Sequence, residues 1–116
     1  MNEKFVKDVY KSVIEDGKNI YKDLYENTKI TKKTVDYWKN ALELYRSFDD
    51  KQRNVFMNIV THTMIDTVSS VLGILDGSST LPTDNFDFEV KINGISTKNE
   101  LQDTFLGFVE EKNQIN

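Results

Sequence analysis

Cysteine is absent, histidine and tryptophan occur once each, and the single proline, Pro82, falls in a polar stretch from Ser78 to Asn85. Without cysteine there are no disulfide staples, no thiolate nucleophile and no zinc site built on sulfur, which accords with a reducing cytoplasm. With His62 as the sole imidazole, any metal would need carboxylates around one nitrogen. A carboxylate-bridged bundle site calls for Glu-x-x-His on two helices, and neither that motif nor HExxH is present. Asp84, Asp87 and Glu89 lack the order and glycine of an EF-hand. The glycines of Gly73 to Gly77 lack the Lys-Ser/Thr of a phosphate loop. No metal and no cofactor is expected. Uninterrupted apolar runs stay well short of the ~20 residues that cross a bilayer, and Met1-Asn2-Glu3-Lys4 opens a charged amphipathic pattern rather than a signal peptide. The expected setting is cytoplasmic, with no membrane contact.

The chain has 116 residues, enough for one domain, 1–116, and too few for two. At 38% hydrophobic and 11% aromatic its composition suits a folded core. The net charge of −4 is unevenly spread: residues 1–53 carry 12 Lys/Arg against 10 Asp/Glu, and residues 54–116 carry 3 against 9. Nucleic-acid affinity draws mainly on cations neutralising phosphates, so an acidic half argues against it. Lys29, Lys32 and Lys33 lack an interleaved aromatic platform. An acidic half suits a basic protein partner, because complementary fields speed encounter.

Steps of three and four from Phe5 to Tyr25 predict a helix over residues 3–26, with Gly17 placed for close packing against a neighbour. Val35, Trp38, Ala41, Leu42, Tyr45 and Phe48 predict a second over 34–48. Asp49 and Gln52 form a capping box ahead of a third, about 50–75. Its apolar set, from Phe56 through Val71 to Leu75, spans half the circumference and makes it the centre of the fold. Gly77 suits its left-handed C-cap. Phe86, Phe88, Val90 and Ile92 alternate with charged residues and read as a strand. Asn93-Gly94 is a hairpin turn, although Ile95-Ser96 leaves room for only a short return arm. Thr97 and Glu100 read as a capping box for a last helix carrying Leu101, Phe105, Phe108 and Val109. The predicted class is mainly α (α+β): four helices around the central one, with one strand or truncated hairpin over 86–96.

Asn58, His62, Asp66 and Ser69 recur along one polar face of the central helix. His62 and Asp66 stand one turn apart, the pairing a general base needs, and Ser69 follows. Strung along a straight helix, however, the three cannot converge on one reacting atom. No catalytic set is therefore expected, and the chain is read as no enzyme. Tyr37 sits off the apolar stripe of its helix, beside Trp38, as an exposed contact. Asp87, Glu89 and Lys91 would line the outer face of a strand whose main chain needs a partner. Together these features point to a small bacterial-type protein-binding module of the immunity or inhibitor kind, neutralising a protein partner, for which a basic one suits the charge, without catalysis. The alternatives are a homodimer paired through residues 86–92, or a small-ligand binder or enzyme using His62 and Asp66.

Overall fold

Apolar steps of four overrun a helical turn of 3.6 residues, and the first helix shows how the chain absorbs the mismatch. The computed structural model describes residues 1–115. Helix α1 (Asn2–Val9) passes into a π-helical segment (Tyr10–Glu15) and then α2 (Asp16–Asn27), with right-handed backbone at every junction, so the three run as one rod. Val6, Tyr10 and Ile14 are buried in steps of four, and the wider i→i+5 turn keeps them on one side.

Helix α3 (Asp36–Ser47) starts two residues later than its periodicity predicts. Thr34 is held instead in a turn, its hydroxyl accepting from the Thr31 N–H at 2.8 Å. Helix α4 (Asp50–Asp76) begins at the predicted capping box, with Gln52 N–H donating to Asp49 Oδ1 (2.8 Å) and Asp49 N–H to Gln52 Oε1 (2.9 Å). It stops at Gly77, whose φ of 79° is open to glycine at little cost.

Between neighbouring helices the ends are stitched by charged side chains. Arg46 of α3 donates through Nε to the Tyr25 carbonyl (3.3 Å) and through Nη2 to the Thr28 carbonyl, closing the end of α2. Arg53 of α4 donates to the carbonyls of Tyr45 (3.3 Å) and Arg46 (3.1 Å), closing α3. These are the only two arginines in the sequence, and each supplies cationic donors where a helix dipole presents free carbonyls.

Strands β1 (Lys91–Ile92) and β2 (Ile95–Ser96) form a two-stranded antiparallel hairpin, Lys91 opposite Ser96 and Ile92 opposite Ile95. Asn93 (φ 52°) and Gly94 (φ 81°) make the predicted turn. The hairpin is shorter than its alternation suggests, for residues 86–90 are not strand. A two-residue return arm offers no backbone to pair with them, and only Val90 and Ile92 of the alternating set reach the main apolar cluster. Thr97 does not cap the last helix either. It is buried, its N–H (3.0 Å) and hydroxyl (3.2 Å) both donate to the Val90 carbonyl, and Lys98 and Asn99 turn the chain at positive φ. Helix α5 (Leu101–Ile115) is capped instead by Asp76 at the end of α4, whose carboxylate accepts from Leu101 N–H (3.2 Å) and Gln102 N–H (2.7 Å).

The α1–α2 rod lies antiparallel to α4. Tyr25 meets Phe56, Tyr21 lines a groove with Val60, and Gly17 lies where an added Cβ would come 2.6 Å from Met64 Cε. Helix α5 closes one end of this pair, where Val6, Tyr10, Ile14, Ile65, Leu72, Leu101, Phe105 and Val109 form one cluster. Lys112 of α5 also pairs with Glu15 there, and the carboxylate raises the ammonium pKa above its ordinary 10.5. Helix α3 closes the other end around Tyr25, Leu42, Tyr45 and Met57. Two separate clusters stretch the molecule to 49 × 39 × 24 Å. Its radius of gyration is 17.7 Å, against about 13 Å for a compact chain of this size. Helix α4 is central, as predicted, but much of its apolar surface faces outward: Val71, expected in the core, is 51% exposed. By length and composition alone α4 is also long and apolar enough to cross a membrane, and 22% of its most apolar stretch is buried.

Replacing Asp76 by Ala should leave two first-turn N–H groups of α5 without their acceptor, at a cost of roughly 1–3 kcal/mol. Denaturant unfolding would measure the loss, and hydrogen exchange should locate it at Leu101 and Gln102. Unchanged protection there would show that the cap contributes nothing.

Candidate functional site

The polar face of α4 does not assemble into a catalytic group. His62 and Asp66 are both exposed, and no hydrogen bond or ion pair joins them among the described residues. Ser69 is buried beneath α5, where Gln102 Nε2 donates to its hydroxyl (3.2 Å) and to its carbonyl (3.0 Å). Gly73 lies under the same glutamine, with an added Cβ falling 2.7 Å from Gln102 Nε2. Asn58 points to a different surface, a polar cleft shared with α2. No cluster of three or more His, Asp or Glu side chains able to hold a metal occurs among the described residues.

The predicted contact residues fall at opposite ends of α4. Tyr37 is exposed, edge-on to Trp38 at 5.4 Å, and Trp38 leads through Tyr25 to Phe56. Asp87 and Glu89 are exposed on the loop before the hairpin, and Lys91 pairs with Glu89 at 3.3 Å. Such an exposed pair holds little energy. Phe86 and Phe88 of that loop line a small cavity with Ile74 and Gly77. Phe56 and Ile74 are 18 positions apart, about 27 Å along the helix axis. Tyr37 and the 86–91 loop therefore do not make one patch.

The polar cleft, about 560 Å³, lies between α2, α3 and α4 and is lined by Lys18, Lys22, Glu26, Tyr45, Asp50, Arg53 and Asn58 among others. Its polar groups largely serve the fold. Tyr45 donates its hydroxyl to Glu26 (3.0 Å), and Arg53 lies 5.2 Å over the Tyr45 ring while bonding the carbonyls that end α3. Burial first, and then the Glu26 carboxylate, push the Tyr45 phenol above its usual pKa. Burial and the neighbouring Tyr37 and Tyr21 do the same to Tyr25.

On the other side of the α2–α4 contact lies an apolar groove of about 260 Å³ formed by Tyr21, Tyr25, Ile59, Val60, Thr63 and Met64. It opens onto a ridge of α4 at steps of four: Val55, Ile59, Thr63, Thr67 and Val71, all exposed. The two threonines belong to the apolar surface. Thr63 donates its hydroxyl to the Ile59 carbonyl (2.8 Å) and Thr67 to the Thr63 carbonyl (2.7 Å). With the hydroxyls occupied along the helix, their methyl groups complete the ridge. Across the groove Tyr21 of the rod is 40% exposed, so the apolar area spans two helices.

The groove opens onto an exposed apolar ridge that the patterns of the sequence do not single out. Ile59 stood between the polar stripe and the apolar arc and was assigned to neither, while threonine counts as polar in any pattern of apolar steps. The one available signal was the placing of Thr63 and Thr67 four and eight residues beyond Ile59, where i−4 bonding hides a hydroxyl. No family model, curated protein or solved structure matches this chain.

Tyrosine titration offers a check on the packing around the polar cleft. A raised phenol pKa favours the neutral form in the fold. The stability it contributes is complete below the ordinary value of 10.0 and is lost as pH rises through the raised one. Thermal melts followed by circular dichroism should therefore shift downward once pH exceeds 10.0, and Tyr45→Phe should shrink that shift. An equal shift in the variant would mean that Tyr45 ionises no less readily in the fold than in the unfolded chain.

Proposed function

We propose that this chain is a cytoplasmic protein-binding module of the immunity or inhibitor kind, which acts by covering a protein surface and performs no catalysis. The observation that carries this reading is the Val55–Ile59–Thr63–Thr67–Val71 ridge with the adjoining groove. Rows of apolar side chains continuous across two helices are what protein contacts bury, and large exposed patches of this kind mark interaction sites. Tyr21 at the groove adds the aromatic anchor that interfaces favour, a rigid ring with a polar tip.

Pairing along an exposed β edge is not the means proposed. The seven-residue strand that would carry it is not formed, and its last two residues are laddered to Ile95–Ser96 of the same chain. Side chains on helices make the contact instead. The acidic balance of residues 54–116 suits a basic target for the neutralising role.

A photo-crosslinking residue at Thr63, in the full chain expressed in its own cells, should give a protein adduct of defined mass. Adding Ile59→Arg should remove that adduct, and the same probe at Glu43, on the exposed side of α3, should give none. Free chain alone at Thr63, with no adduct, would end the reading.

A further inference from the structure

We infer that the protein covering this ridge is a second copy of the chain, paired through α4 across a two-fold axis. The inference rests on the reading of the ridge as a protein contact; it identifies the occupant as this chain itself, and so leaves any neutralised target to be met by other surfaces.

The first argument is area. The chain exposes 8495 Å², whereas a monomer of 13.5 kDa exposes about 6,500 Å² by the size scaling of monomeric proteins. The excess, about 2,000 Å² per chain, falls within the share that one subunit gives to an obligate dimer, whose interface buries roughly 2,000–5,000 Å² in total. A chain folded around two small clusters, with its longest helix open along one side, has the surface of a subunit.

The second argument is shape. The ridge follows the i±4 row of α4, and that row packs into its own kind at a crossing angle of about −50°. Thr63 stands at its midpoint, flanked by Ile59 and Thr67, with Val55 and Val71 at the ends. With Thr63 at the crossing, each copy's Ile59 meets the partner's Thr67, a larger side chain against a smaller one, and Val55 meets the partner's Val71. The pattern is therefore self-complementary, as a two-fold contact requires.

Charge gives the third argument. His62 and Asp66 are the titratable side chains beside the middle of the ridge. With the copies antiparallel about the Thr63–Met64 turn, His62 comes alongside the partner's Asp66. A parallel arrangement would set carboxylate against carboxylate. Helix α5 covers α4 further along, through Ser69 and Leu72, and leaves Ile59, Thr63 and Thr67 exposed. The acidic residues it carries, Asp103, Glu110 and Glu111, stay outside the pairing and face any basic target.

Sedimentation equilibrium of the full chain at micromolar concentration tests this, together with the mass of the Thr63 adduct. The expected result is twice the 13.5 kDa chain mass for both. Ile59→Arg, and separately Thr63→Arg, should each weaken the dimer by about thirtyfold or more, the scale of an interface hot spot. Both side chains are exposed, so helical content should be kept. Val35→Arg, exposed on the loop before α3, should remain dimeric. A wild-type monomer whose Thr63 probe captures a different protein overturns the self-pairing while leaving the protein-binding reading in place. A monomer with no adduct, or one that sediments with lipid vesicles and is released by Ile59→Arg, overturns both. A dimer that survives both arginine variants overturns the assignment of the face.

Discussion

The Asp76 carboxylate holds the last third of the chain in place. It sits where α4 ends, is 6% exposed, and accepts from the two N–H groups that open α5. A carboxylate at a helix N-terminus meets both free donors and the positive end of the dipole. The loop, hairpin and turn between residues 77 and 100 thus close a circuit fixed at both ends. Within it, Val90 and Ile92 are drawn onto the main cluster and the Val90 carbonyl is tied to Thr97. Arg46 and Arg53 repeat the device with opposite sign at the ends of α2 and α3. Helices α2, α3 and α5 are thus each closed by a side chain of a neighbouring helix.

This dependence on distant partners explains which features could be read in the sequence. The capping box at Asp49 and Gln52, the glycine stop at Gly77 and the Asn93-Gly94 turn involve residues within three positions of one another, and all appear where expected. Thr97 and Glu100 carry the same local pattern as Asp49 and Gln52, yet the true cap of α5 lies 25 positions upstream. No short-range rule reports such a partner. The π-helical segment is equally hidden, because Val6, Tyr10 and Ile14 look like ordinary helical spacing until the neighbouring helices fix which side must be buried.

The exposed apolar ridge was hidden in the sequence for a chemical reason. Periodicity separates apolar from polar residues, and threonine falls on the polar side although its hydroxyl can bond within the helix. The polar stripe of Asn58, His62, Asp66 and Ser69 stood out instead. The structure divides it among a cleft, an exposed face and a buried contact with Gln102. Tyr37 is 68% exposed, off the apolar stripe of its helix, and Tyr21, on the rod, is 40% exposed at the groove.

Colloidal behaviour follows from the open side of α4. At neutral pH the formal charge of −4 gives every molecule the same sign, and mutual repulsion keeps apolar faces from adhering at random. That protection fades near the isoelectric point of about 5.0. Mild acid thus removes the charge barrier against indiscriminate clumping through the exposed apolar side of α4.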